Sequence, residues 1–116
     1  MSEAPDPDEV IELLGDAYVR DILVETYTEP MSAKELSEAC GMSLPTVYRR
    51  VEDLTDHDLL LERTRIVADG HHYTTYVANL EGLRVDLTPE GFEVEVERRE
   101  APSDRFTRVW ERIREA

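Results

Sequence analysis

Residues 32–51 read SAKELSEACGMSLPTVYRRV and contain the signals of two short helices joined by a tight turn. Ser32, with Glu35 three residues later, forms a capping box at the start of the first helix. Gly41 supplies the positive φ that ends this helix, and Ser43 caps the next one. Two helices joined by a turn that contains glycine predict a helix-turn-helix.

The second of these helices is predicted over residues 43–57 and has an apolar side and a polar side. Its apolar positions recur at intervals of three and four residues: Leu44, Val47, Val51 and Leu54. At about 100° per residue, Arg49 lies almost opposite this side. The alternative is that Arg49 forms an ordinary surface pair with Asp53, four residues later.

This helix belongs to a segment without carboxylates. No Asp or Glu occurs from Ala39 to Val51, although an even spread of the 27 acidic residues over 116 positions would place about three there. Hydroxyl and guanidinium groups on the free face of a helix are typical of a surface that reads DNA. We therefore interpret residues 43–57 as a recognition helix for double-stranded DNA.

A second acid-free segment covers residues 70–80 and follows short apolar runs at the spacing of a β-hairpin. We predict a wing over residues 60–80. Neither the odd-numbered nor the even-numbered positions form a purely apolar face, so the sequence leaves the strand register open. The hairpin carries four side chains suited to phosphate contacts: Arg63, Arg65, His71 and His72. The alternative for them is a solvated charged strand.

The rest of the chain predicts one further helix before this region and two elements after it. Residues 1–7 are expected to form a disordered acidic tail, and Asp8 to cap a helix that runs to about Tyr27. Alternation from Leu83 to Val96 predicts a second hairpin with an acidic outer face. A final helix has one apolar stripe, which packs either on its own domain or on a partner subunit: Phe106, Val109, Trp110 and Ile113.

Together these elements predict an α+β fold. It consists of a winged helix-turn-helix, with a three-helix core and a β-hairpin wing, followed by a second β-hairpin and a C-terminal amphipathic helix. Residues 8–80 would form the DNA-binding domain, and residues 81–116 a dimerisation element of the same domain. A chain of this length can bury a single core without disulfides.

The charge balance predicts an unusual solvent. The net charge is -14, and 12 Arg accompany a single Lys. Such a surface suggests a cytosol of very high salt, where the Debye length falls to about 3 Å at 1 M and carboxylates hold water and inorganic cations. The acidic N-terminus and the lone Cys40 favour a cytoplasmic protein, and no apolar run approaches the roughly 20 residues of a membrane span.

No arrangement of residues indicates catalysis, a cofactor or a metal site. The sequence contains no pairing of a nucleophile with a base and no phosphate-binding loop. His71 and His72 are adjacent, so in a strand they point to opposite faces and are poorly placed to hold one ion. Cys40 is interpreted as a small packing residue. We expect neither an enzyme nor a metal protein.

Residues 30–64, PMSAKELSEACGMSLPTVYRRVEDLTDHDLLLERT, resemble winged helix-turn-helix transcriptional regulators. With its acidic surface the chain looks like the ArsR-like regulators of halophilic archaea, and the likeness spans residues 8–80. It implies a homodimer that docks the recognition helix in the major groove and the wing against the backbone. Two departures are that Asp58 replaces a glycine often found after the recognition helix, and that the cysteine pair of metal-sensing relatives is missing.

Carried onto matching positions, the resemblance assigns two kinds of DNA contact. Ser43, Thr46 and Arg49 would lie at base edges or nearby phosphates. Tyr48 and Arg50 would contact the backbone, and Lys34 on the preceding helix completes the DNA-binding set.

Because one recognition helix reads half of a palindromic site, we expect a homodimer. Its interface is predicted to contain residues of the first and last helices: Val10, Leu14, Phe106, Val109, Trp110 and Ile113. The main alternative function is a winged-helix module for protein contacts in transcription or chromosome machinery. A third is an antitoxin that binds DNA and a partner together.

Overall fold

The computed structural model of the protein describes residues 7–100, in which four helices and five strands are present. In chain order they are α1 Pro7–Leu14, α2 Ala17–Glu25, β1 Met31–Ser32, α3 Ala33–Cys40, α4 Leu44–Asp56, β2 Leu60–Ile66, β3 His72–Ala78, β4 Leu80–Thr88 and β5 Gly91–Arg98. Helices and antiparallel strands together give the α+β class. Residues 1–6 of the predicted tail and the predicted C-terminal helix lie outside the described range, and residue 7 already belongs to α1.

The region predicted as one helix over residues 8–27 is two helices. The break occurs at Gly15, a poor helix former, and Asp16. The Asp16 carboxylate accepts a hydrogen bond of 2.8 Å from the backbone N–H of Tyr18 and thereby caps α2. The predicted cap by Asp8 is also wrong, because α1 begins one residue earlier.

The helix-turn-helix has the predicted caps. The Ser32 hydroxyl accepts a hydrogen bond from the backbone N–H of Glu35 at 3.1 Å, and the Glu35 carboxylate accepts one from the backbone N–H of Ser32 at 2.8 Å. Gly41 ends α3 with φ of 66°, which glycine adopts at little steric cost. Ser43 caps α4 by accepting from the backbone N–H of Thr46 at 3.3 Å.

The core lies between these helices and a three-stranded antiparallel sheet of order β1-β3-β2. Its fully buried side chains come from α2, α3, α4 and β2 and from the residue directly before β2, and each contributes roughly 1.5–3 kcal/mol: Val19, Ile22, Leu36, Val47, Leu54, Leu59 and Leu60. Leu44, predicted on the apolar side of α4, is instead 41% exposed. It is the first residue of α4, so the buried stripe begins one turn later at Val47.

A separate antiparallel hairpin, β4 with β5, is attached to the end of α4. The Arg98 guanidinium donates hydrogen bonds to the backbone carbonyls of His57 at 2.8 Å and Asp58 at 3.1 Å. The buried Asn79 side chain donates to the same Asp58 carbonyl at 2.8 Å. Asp58 has φ of 59°, the left-handed conformation that glycine would favour. No helix within residues 7–100 is both long and apolar enough to span a membrane.

Candidate nucleic-acid interface

The exposed face of α4 presents an unpaired guanidinium. Arg49 is exposed, and within residues 7–100 it has no ion pair and no side-chain hydrogen bond. The pairing with Asp53 that the sequence left open is therefore not formed. Tyr48, beside Arg49, is 56% exposed. Since the five N–H donors of Arg49 are open, it can donate two parallel hydrogen bonds to an acceptor pair such as guanine O6 and N7.

The hydroxyl groups at the start of α4 serve the helix cap. The Ser43 hydroxyl accepts from the backbone of Thr46 and donates to the Thr46 hydroxyl oxygen at 3.0 Å. The half-buried Thr46 hydroxyl keeps its own hydrogen for an outside acceptor. Thr46 lies one turn before Arg49 on α4, and Ser43 precedes the helix as its N-cap.

Arg50 has a different environment from Arg49. Its Nε lies 2.8 Å from an Asp16 carboxylate oxygen, and its side chain is 23% exposed. The Nε–H makes no hydrogen bond of good geometry, so the contact is ionic. The guanidinium also lies 5.9 Å from the ring centre of Tyr18. This margin of α4 faces the start of α2, so Arg50 already has an acidic partner within the chain, and its predicted backbone contact stays a prediction.

A groove of about 660 Å³ separates the helix-turn-helix from β3. Its polar lining comes from α3, α4 and β3: Lys34, Glu35, Glu38, Tyr48, Tyr73 and Thr74. Lys34 is exposed and has no ion pair within the described part of the chain. Glu35 is held by its cap, whereas Glu38 brings an exposed carboxylate that the sequence reasoning did not assign to this surface.

Tyr73, which the sequence did not single out as a site residue, contacts Arg65, one of the predicted hairpin cations. Register places Arg65 directly opposite Tyr73. The Arg65 guanidinium donates to the Tyr73 hydroxyl at 3.0 Å and lies 5.6 Å from the ring centre. It also donates to the Pro30 carbonyl at 3.4 Å. The sequence could not indicate this contact, because the alternation of its residues did not fix the register of β2 against β3.

The other predicted hairpin cations have closer acidic neighbours than the sequence indicated. Arg63 lies 3.7 Å from a carboxylate oxygen of Glu100. His71 contacts Asp69 at 2.8 Å across the turn. Hydrogen bonds from the backbone and then the ring of His71 hold the pKa of Asp69 below its usual range. His72 is exposed at the start of β3.

His57, the C-cap of α4, joins this helix to α1. Its Nδ1 lies 2.9 Å from the Asp53 carbonyl oxygen and its Nε2 lies 2.9 Å from the Glu9 carboxylate. Only the protonated ring can donate to both acceptors. Burial lowers the pKa of His57, but the hydrogen bonds to Asp53 and Glu9 outweigh burial and raise the pKa above its ordinary value.

The structure also locates three residues predicted at an interface or as packing. Val10 is fully buried within its own chain, so it is not available to a partner and that prediction is wrong. Leu14 is half-buried against the core. Burial, together with the nearby carboxylates of Glu25 and Asp21, raises the pKa of the half-buried Cys40 thiol and disfavours the reactive thiolate. Phe106, Val109, Trp110 and Ile113 lie outside the described residues.

Comparison with known proteins agrees with this geometry over the central helices. A search of curated proteins finds no match to the chain. Residues 14–63 match the family model of a helix-turn-helix domain. The matched range includes α2, α3, α4 and the exposed face with Arg49. The chain thus contains a helix-turn-helix domain, the kind of domain with which many transcriptional regulators bind DNA.

Proposed function

We propose that the protein is a sequence-specific, DNA-binding transcriptional regulator of the winged helix-turn-helix type. The recognition helix, within residues 43–57, enters the major groove, and the hairpin at residues 60–80 acts as the wing on the backbone. The proposal rests above all on the open guanidinium of Arg49 on the exposed face of α4. A bidentate contact from such a group to guanine contributes about 1–3 kcal/mol of discrimination.

Contacts around Arg49 position the protein on the duplex. Tyr48 and Lys34 flank the groove beside α4 and reach phosphates on one side of the major groove. On the wing, Arg65 of β2 approaches the DNA backbone from its position against Tyr73 of β3. His72 extends from the start of β3. Arg50 is left out of this set because it contacts Asp16.

The proposed active form is a homodimer. One recognition helix reads one half-site, so a palindromic operator needs two copies related by a twofold axis. The sequence favours the first helix and the C-terminal stripe as the interface. With Val10 buried, Ile11, which is exposed, and Leu14, which is half-buried, are among the apolar α1 side chains that remain accessible. We place the α1 contribution on these two residues.

A protein with a net charge of -14 is repelled by DNA at low ionic strength, so we propose that it binds DNA in high salt. High ionic strength screens the repulsion between the acidic surface and phosphates, but it also removes the affinity gained from counterion release. Binding then depends on short-range hydrogen bonds and packing. Inorganic cations held between surface carboxylates and DNA phosphates add to the binding affinity. This fits the resemblance to ArsR-like regulators of halophilic archaea and a cytoplasmic location, with no catalytic step and no cofactor.

Selection of bound genomic fragments in molar KCl, followed by gel-shift titration, tests the proposal. Arg49→Glu should abolish the shift of selected fragments. Arg84→Glu is the matched control, because Arg84 is an exposed arginine on β4, outside the helix-turn-helix, and its replacement changes the charge by the same amount. Failure to enrich any sequence, or equal loss in the two variants, would contradict sequence-specific binding through α4.

A further inference from the structure

Lys34 is the only lysine of the chain, which carries 12 arginines. An arginine can donate two parallel hydrogen bonds to a phosphate, whereas a lysine contacts a phosphate as a single charge. A side-chain amine has a property that a guanidinium lacks, because its neutral form is a nucleophile that can be acylated. The chain therefore offers one side-chain amine to acyl donors, and the position of that amine decides what acylation would change.

The Lys34 amine is accessible. Its side chain is exposed and has no ion pair or side-chain hydrogen bond among residues 7–100. Glu38 lies one turn later on α3 and lines the same groove, yet no ion pair joins the two side chains. The adjacent carboxylate of Glu35 is held by the backbone N–H of Ser32. The amine is thus free to meet an enzyme that transfers an acyl group.

Helix stability does not explain the position of Lys34. Lys34 is the second residue of α3, which begins at Ala33 after the Ser32 cap. The first turn of a helix is the positive end of its dipole, where carboxylates are favoured and cations are disfavoured. Glu35, in the same turn, follows this rule. A single lysine placed there points to a role with an anion outside the chain.

Lys34 also lies where a change of charge affects the proposed DNA surface. It lines the groove of about 660 Å³ between the helix-turn-helix and β3, together with Tyr48 of α4 and Tyr73 of β3. Tyr48 directly precedes Arg49, whose guanidinium is open. The groove has room for a small acyl group, so acylation of Lys34 need not displace the recognition helix.

We propose that Lys34 is a reversible acylation site that controls DNA binding, an inference that rests on the proposed function. The neutral Nζ of Lys34 attacks the carbonyl carbon of an acyl thioester such as acetyl-coenzyme A. A C–N bond forms, the C–S bond breaks, and the proton lost by the nitrogen is taken up by the departing thiolate. Hydrolysis of the amide by water restores the amine and releases the carboxylic acid.

Acylation removes a positive charge from the surface that faces DNA. Acetyl-lysine cannot form a charge-assisted hydrogen bond to a phosphate oxygen. Loss of one such contact should weaken DNA binding about tenfold. Because a phosphate contact carries no base information, all selected fragments should weaken by a similar factor. The fold should not be destabilised, since the lost charge opposes the dipole of α3.

Acetylation of the purified full-length protein with the N-hydroxysuccinimide ester of acetic acid tests this effect in molar KCl. The reagent modifies Lys34 and the N-terminal amine. Lys34→Arg is the matched control, because it keeps the charge and reacts only at the N-terminus. The reacted unsubstituted protein should lose affinity about tenfold, whereas reacted Lys34→Arg should keep its affinity. The urea midpoint of the reacted protein should not fall.

Three outcomes of this experiment would overturn the proposal: equal affinity before and after reaction, equal loss in Lys34→Arg, or a lower urea midpoint. If the unreacted protein selected no DNA fragment, the proposed function would fail and this inference with it. If the unreacted protein bound DNA and the acetylated protein bound equally well, only this inference would fail.

Mass spectrometry of the protein purified from the cells that produce it tests whether the site is used. A fraction of the peptide that contains Lys34 should carry an acyl group. That fraction should be smaller in protein that has been cross-linked to DNA in the same cells than in the remaining protein. Recovery of the peptide in its unmodified form alone, or an equal acylated fraction in the two pools, would overturn the proposal.

Discussion

The Nε of Arg50 lies 2.8 Å from a carboxylate oxygen of Asp16, so the second of two adjacent arginines on α4 belongs to the scaffold. The first, Arg49, faces solvent without a partner in residues 7–100. Asp16 also caps α2, so one carboxylate starts one helix and holds another. Two neighbouring side chains of the same type thus have separable roles.

Replacing Arg50 should affect stability more than DNA recognition. We expect Arg50→Met to lower the free energy of unfolding by about 1 kcal/mol, since the contact is partly screened. Asp16→Ala should cost about 1–2 kcal/mol because it also removes a helix cap. Urea denaturation at fixed KCl measures both. If Arg50→Met kept full stability but lost DNA binding, Arg50 would be a phosphate contact as the resemblance implied.

Replacing Arg49 should have the opposite effect. Arg49→Gln is expected to leave the unfolding free energy within about 0.5 kcal/mol, as usual for a surface change. It should weaken binding to selected DNA by about 1–3 kcal/mol and relax the preference at one guanine. Competition gel shifts with single-base variants of the site measure this. A uniform loss across all variants would instead assign Arg49 to a phosphate.

Asp58→Gly should stabilise the protein. Asp58 has φ of 59°, and glycine removes the steric cost of that conformation, on the order of 1 kcal/mol. The backbone carbonyl that accepts from Arg98 and Asn79 is unchanged. Thermal unfolding of Asp58→Gly beside Asp58→Ala gives the comparison. If Asp58→Ala raised the melting temperature as much as Asp58→Gly, the gain would come from relief of charge repulsion and not from relief of backbone strain.

Stability should depend on pH through His57. Because its pKa is raised in the folded protein, the stabilisation is fully present below the pKa of the unfolded chain and is lost as pH rises through the folded pKa. The difference in unfolding free energy between the unsubstituted protein and His57→Gln should therefore be larger at pH 5.5 than at pH 8.5. Glu9→Gln should reduce this dependence. A constant difference across that pH range would exclude a protonated bridge to Glu9.

DNA affinity should decline with salt less steeply than for ordinary regulators. A protein that neutralises Z phosphates normally loses affinity with a logarithmic slope of about -0.9Z. In this protein Arg50 and Arg63 already have acidic partners within the chain, and carboxylates outnumber basic side chains. We therefore predict a shallow or reversed slope of DNA affinity between low and molar KCl. Fluorescence-anisotropy titrations with a fixed operator measure the slope. A steep ordinary decline would argue against cation-bridged binding.

The sequence predicted those features that depend on a few consecutive residues. The caps at Ser32 and Ser43 and the left-handed Gly41 are contacts within one turn of helix, so their spacing in the chain was sufficient. The second hairpin was also predictable, because apolar and charged residues alternate from Leu83 to Leu87 and again from Phe92 to Val96, on the two sides of a turn. The position of Arg49 opposite the apolar side followed from helix geometry alone.

Features that depend on distant partners were not predictable in this way. The contact of Arg50 with Asp16 requires knowledge that the first helical region breaks and brings Asp16 to the side of α4. The role of Tyr73 depended on the strand register, which neither alternation of the hairpin residues selected. Burial of Val10 depends on packing of α1 against the core rather than on its own helix pattern.

The hydrogen bonds from Arg98 to the backbone carbonyls of His57 and Asp58, directly after α4, have a mechanical consequence. They connect the end of β5 to the turn that directly follows α4, so the hairpin is held close to the end of that helix. A force that a neighbouring molecule exerts on the hairpin would therefore be transmitted to the C-terminal end of α4. In the proposed regulator, the β4–β5 hairpin would act as a lever on the recognition helix.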